Sequence, residues 1–155
     1  MSNIQTSSTW FAKRYDRFSH LGILLVLAFV LNVCWEEAHH VLYVSYRGGE
    51  ITHGILLRAG LVDAFVIGVL FGPLLFLRTH KTRVWLSVAG ALIFAVALER
   101  YALFSGRWIY QSSMPILPWV HTGLTPTIQL ALLGWVAFWI TQKIVIRSHH
   151  RAEGV

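Results

Sequence analysis

Glu36, Glu37, His39, His40, Asp63, Glu99, Arg100, His121 and Gln129 all stand in otherwise apolar stretches of this 155-residue chain. Carboxyl and imidazole groups are the usual agents of general acid–base chemistry, and both also ligate metals. The string Trp35-Glu36-Glu37-Ala38-His39-His40 carries them together. On a helix, His39 and His40 fall three and four residues after Glu36, on the same face. Glu-x-x-His is a metal-binding spacing in helical bundles, where a second helix repeats it. Here neither Asp63 nor Glu99 has a histidine three or four residues away, so no metal ligand set is assigned. The chemical reading is proton transfer by Glu36, Glu37 and Glu99, with His39 or His40 as partners. The structural alternative is a pair of interfacial histidines capping neighbouring carboxylates.

Other segments repeat the pattern at the same depth. Asn32, Glu36, His39 or His40, and Tyr43 share one helical face. Asp63 lies ~12 Å along its segment, and Glu99 with Arg100 about a turn from the end of theirs. His121, Thr125 and Gln129 follow one another at intervals of four, and Pro126 would free the carbonyl of residue 122 and kink the helix. The remaining halves, such as LGILLVLAF and VIGVLFGPLLF, are apolar. Chance would have scattered polar residues through both halves. A polar cavity at one depth is therefore expected, with Asn32, Asp63, Arg100, Arg107, Trp108, Tyr110, His121, Thr125 and Gln129 as substrate-contacting residues. If the polar residues serve stability instead, Asp63 should pair with Arg100, and Glu99 with Arg58 or Arg107.

The segments that must hold these groups are 21–43, 55–77, 84–104 and 118–141, each near the ~20 residues that cross a bilayer. Of the whole chain 55% is hydrophobic and 13% charged, against about a quarter charged in soluble domains. The fold class is an all-α, polytopic four-helix membrane bundle. Residues 1–20 form a tail with an interfacial anchor (WFAKRYDRF), of which 1–9 are expected to be disordered; 21–141 form the bundle and 142–155 a basic tail. The first segment continues into Trp35-Glu36-Glu37 and reads as a retained span, not a signal peptide. Arg47-Gly48-Gly49-Glu50 reads as a turn, Arg78 to Arg83 as a short basic loop, and residues 105–118 as an irregular connection.

The net charge of +6 is not spread as a nucleic-acid surface would be. Lys13, Arg14, Arg17, Arg78, Lys81, Arg83, Lys143, Arg147 and Arg151 all fall on one side of a chain that crosses four times. That is the positive-inside pattern, placing both termini in the cytoplasm of a multi-pass membrane protein. Membrane lipids are the expected partners, with a homo-oligomer or a larger membrane complex also open and no role for nucleic acid. Cys34 reads as a small core residue. Phosphate loops, nucleophile elbows and Cys-x-x-Cys pairs are absent from the sequence, and no cofactor is assigned.

Asn32 to Asp63 and Glu99 to Gln129 resemble a family of small bacterial four-span membrane proteins, a resemblance that implies fold and location but no activity. Glu99, Ala102, Gly106, Trp108 and Tyr110 also resemble part of the lycopene cyclase domains: an acid before an alanine, then Gly-x-Trp-x-Tyr/Phe. The Pro-x-Glu-Glu that should follow reads Pro126-Thr127-Ile128-Gln129, so acids would have to come from elsewhere, with Glu36 and Glu37 as candidates. The expected function is acid–base chemistry on an apolar, isoprenoid-like lipid. A proton- or metal-handling transporter, or an accessory subunit, is the alternative; the apolar halves offer transport no polar path.

Overall fold

A computed structural model describes the backbone of residues 3–77 and 81–152 and the side chains of 18–77 and 81–144. The chain is an all-α four-helix bundle: α1 (Asn3–His39), α2 (His53–Phe76), α3 (Lys81–Phe104) and α4 (Leu124–Ala152). Each contains a stretch long and apolar enough to cross a membrane: Phe18–Leu42, which runs on through a short 3-10 turn, His53–Phe76, Lys81–Phe104 and Leu124–Ile144. The protein is a multi-pass membrane protein. A 24-residue helix is ~36 Å long, enough for a ~30 Å hydrocarbon layer.

The helices form a ring in which α1 packs mainly on α2 and α4, α3 packs mainly on α4, and the α2–α3 seam is thin. Small residues set the α1–α2 approach: Gly60, Ala64, Gly68 and Gly72 recur every fourth position on α2. A methyl carbon at Gly60 would lie 2.9 Å from Val33 Cγ2 and 3.3 Å from the Val33 backbone nitrogen; one at Gly68 would lie 2.6 Å from Leu25 Cδ2. Backbone cannot yield as the end of a leucine can. Gly60→Val is therefore expected to destabilise the bundle by roughly 2–3 kcal/mol and Gly68→Ala by no more than about 1 kcal/mol, read from unfolding in mixed micelles. On α4, Gly134 admits the Phe71 ring, whose Cε2 would be 2.5 Å from an added Cβ. Leu24, Ile67, Phe71, Ala91, Ala137 and Phe138 fill the half of the bundle away from the acids. Val26, Phe65, Val69, Trp85, Leu86 and Ile93 face outward, as lipid-facing side chains do.

At the other end two short strand pairs cover the bundle. β1 (Tyr43–Tyr46) pairs antiparallel with β2 (Trp108–Tyr110), and β3 (Ile116–Leu117) with β4 (Thr122–Gly123). Tyr43 and Tyr46 pack on Trp108 with ring centroids 5.0 and 4.7 Å apart. After β1 the chain reverses through Arg47 (φ 50) and Gly48 (φ 76), closed by reciprocal bonds between Tyr46 and Gly49. Two left-handed residues in succession make a tight reversal.

Several expectations change. The fourth span starts at Leu124, not 118, because Pro118 to Gly123 belong to the β3–β4 hairpin. Pro126 therefore sits in the first turn of α4, where an amide hydrogen has no intrahelical acceptor, and it causes no mid-helix kink. Residues 3–9 are helical rather than disordered, and the 142–155 segment is helical through Ala152. The aromatic and basic side chains expected at 10–17, the basic loop positions 78–80, and the side chains of Arg147 and Arg151 lie outside the described residues. Cys34 is exposed, not a core residue.

Candidate functional site

The site grows from one stripe of α1. Asn32, Glu36 and His39 are all buried, and each points to the same interior. Asn32 donates to the carbonyl of Ala28 at 2.7 Å, which turns its own oxygen toward α4. There Gln129 Nε2 meets three acceptors: Asn32 Oδ1 at 3.1 Å, Glu36 Oε1 at 2.8 Å and Asp63 Oδ2 at 2.9 Å. An amide nitrogen has two hydrogens, so three oxygens share them. One side chain thus ties α1, α2 and α4 together.

Glu99 of α3 is held separately. Its Oε1 accepts from the Tyr110 hydroxyl at 2.6 Å and from the Tyr43 hydroxyl at 3.3 Å. Tyr110 in turn accepts the Gly123 N–H at 2.7 Å, so the two strand pairs are linked through one phenol. Burial, with the adjacent Glu99 charge, pushes the Tyr43 hydroxyl pKa up; burial and the bond to Glu99 do the same for Tyr110. Both phenols stay protonated donors. Because the folded protein retains these protons where a free tyrosine (10.0) loses them, stability is full below that pH and falls above it. Thermal melts should show the fall, and Tyr110→Phe should reduce it.

Glu36, Asp63, Glu99, His39, Gln129 and Trp108 line a cavity of ≈ 150 Å³. A volume of this size takes a benzene-sized group or a few waters, not a lipid chain. Its wall on the thin side is made of Ile55, Ala59 and Val62 of α2 and Ala95, Leu98 and Ala102 of α3. These six side chains are small or apolar, and none brings a polar group to the cavity.

Among the expected site residues, Asn32, Glu36, His39, Asp63, Glu99, Arg107, Trp108, Tyr110 and Gln129 come together. Others do not. Glu37, a third of a turn round from Glu36, bonds His53 at 2.7 Å on an exposed face. His40 lies past the end of α1, its Nδ1 2.9 Å from the Glu37 carbonyl. Arg100 donates to the Val120 carbonyl at 2.9 Å rather than to Asp63. His121 is exposed in the β3–β4 turn with φ 53, so it shares no helical face with Gln129. Thr125 points to Met114 Sδ at 3.6 Å.

The expected Glu99–arginine pair is absent as well. Arg58 donates to the Tyr46 hydroxyl at 2.7 Å, and Arg107 to the Tyr101 hydroxyl at 3.5 Å. No cavity carboxyl is ion-paired among the described residues, where the pair is His53 with Glu37. Nor does any group of three His, Cys, Asp or Glu side chains among them converge as metal ligands. Sequence reasoning missed Tyr46, and Thr122 with Thr127, whose hydroxyls meet at 3.0 Å to seat the start of α4. The aromatic run Tyr43-Val44-Ser45-Tyr46 beside two glycines is a strand-and-turn signal that could have found the first. Comparison with protein-family models, curated proteins and solved structures gave no match.

Proposed function

We propose that this protein is a membrane enzyme performing acid–base chemistry on an apolar, isoprenoid-like lipid that reaches the cavity sideways through the α2–α3 seam. One observation carries the reading: Glu36, Asp63 and Glu99, from three helices, line one small cavity without an ion pair, beside a seam walled by alanines and branched aliphatics. A structural network would match charge with charge. Here an amide and two phenols hold the acids, so each acid keeps free lone pairs for a proton. The Gln129 cluster is also one donor short, and a hydrogen held between Glu36 and Asp63 would complete it.

Glu99 is the group best placed to give or take a proton at a substrate carbon or oxygen, because Tyr110 and Tyr43 fix it at the cavity wall. Glu36 and Asp63 form the second proton store. The resemblance to lycopene cyclase domains belongs to the same proposal: Glu99 and Trp108 line the cavity, Tyr110 bonds Glu99, and Gln129, standing where that motif has a glutamate, binds two carboxyls from other helices. Transport is the weaker reading, because Phe71 and Phe138, 6.1 Å apart, belong to an apolar core that continues the bundle beyond the acids.

The orientation belongs to the same proposal: termini in the cytoplasm, cavity in the outer leaflet of a bacterial inner membrane. A reporter fused after Val155 should be cytoplasmic and one inserted between Ser105 and Pro118 external; both on one side would refute the topology. Lateral access is tested by a high-resolution map in lipid nanodiscs. Elongated density along Ile55, Val62 and Leu98 is expected. A sealed seam, or a round peak within ~2.2 Å of Glu36 and His39 that marks a metal, would overturn it.

A further inference from the structure

We infer that Arg58 and Arg107 form a phosphate-binding rim, so that the lipid carries a phosphate or diphosphate headgroup and lays its chain along the α2–α3 seam. Arg58 comes from α2 and Arg107 from the turn after α3, the two elements that flank the seam. Both line the cavity that holds three carboxyls, yet neither pairs with one. Each is instead held by a neutral phenol: Arg58 by Tyr46, and Arg107 by Tyr101, over whose ring its guanidinium carbon lies 5.0 Å from the centroid. A phenol fixes the fork without neutralising it, leaving most of the five N–H donors and the full charge to an anion. Guanidinium forks fit phosphate oxygens two at a time.

Depth and size agree with this assignment. Arg58 lies five residues into α2 from His53, ~8 Å from that end, near the depth at which a spanning helix passes from headgroups to hydrocarbon. At ≈ 150 Å³ the cavity accepts only a small part of a lipid, so the chain must lie outside it. Asp63, five residues further along α2, lies ~8 Å deeper and would repel a phosphate, keeping it at the rim with the first bonds of the chain beside Glu99. This assignment of the headgroup rests on the proposed lipid site.

The test uses the full chain in phosphatidylcholine nanodiscs and tritiated farnesyl monophosphate as probe, with empty discs as blank. Saturable binding is expected, competed far less well by farnesol or by inorganic phosphate. Arg58→Gln and Arg107→Gln should each weaken it by roughly tenfold or more, the scale of a lost charge-assisted bond. Arg100→Gln, outside the cavity, should leave it unchanged. Farnesol competing as well as the phosphate, or Arg100→Gln costing as much as the rim variants, would overturn the rim. Inorganic phosphate competing equally would overturn a lipid as the source. The two readings fail separately. Arginine-dependent binding, with cell lipids unaffected by Glu99→Gln, removes the acid–base function and keeps the rim; altered lipids without arginine-dependent binding do the reverse.

Discussion

Gln129→Leu lowers the stability of the bundle by about 2–4 kcal/mol, the largest loss expected from any single polar side chain. Its amide supplies Asn32, Glu36 and Asp63 at 3.1, 2.8 and 2.9 Å. Leucine keeps the volume roughly and removes both donors, leaving two carboxyl groups and an amide oxygen facing apolar surroundings. Interhelical hydrogen bonds in membranes average under ~1 kcal/mol because the separated helices find other partners. Orphaned buried carboxyls cost more than a lost bond, which decides the larger figure. Denaturant unfolding in mixed micelles measures it. Adding Glu36→Leu and Asp63→Leu to Gln129→Leu should restore part of the loss, since the acceptors are then gone too. A Gln129→Leu protein within about 0.5 kcal/mol of the parent would show that the amide does not tie the helices.

Activity should depend on the acids more steeply than stability does. Glu99→Gln retains an oxygen for Tyr110 and Tyr43 but cannot exchange a proton, so the rate should fall by roughly 10²–10⁴-fold with the fold intact. Glu36→Gln should act similarly through the Gln129 cluster. Glu37→Gln is the internal control: that carboxyl bonds His53 outside the cavity, so the rate should be retained. Loss with Glu37→Gln and retention with Glu99→Gln would move the chemistry to the exposed face of α1.

The first three helices and the gathering of polar residues at one end of the bundle were legible because apolar length and misplaced polar residues are both strong signals in a membrane chain. Glu36, Asp63, Glu99 and Gln129 had to converge, since each alone would be costly. Their partners were not legible. Matching opposite charges suggests Asp63–Arg100, but Gln129 and two tyrosines bond the acids instead, and only the assembled bundle brings those groups near. The start of α4 differs from the sequence expectation because Trp119 and Val120 are apolar enough to extend the span, while His121 in the left-handed region and the β3–β4 pairing keep them in a hairpin. Cys34 differs from expectation for a related reason. In a membrane bundle the outward face is as apolar as the core, so composition alone does not distinguish inside from outside.

The central claim is that Glu99 and its neighbours change a lipid. Total lipids should be extracted from matched cells carrying the parent chain, Glu99→Gln or no copy, after checking that both proteins reach the membrane in equal amount, and compared by mass spectrometry. The account predicts at least one isoprenoid-like lipid that shifts with the parent chain alone, its Glu99→Gln extract matching that from cells with no copy. Identical lipids in all three, or the same shift with Glu99→Gln as with the parent, would contradict it.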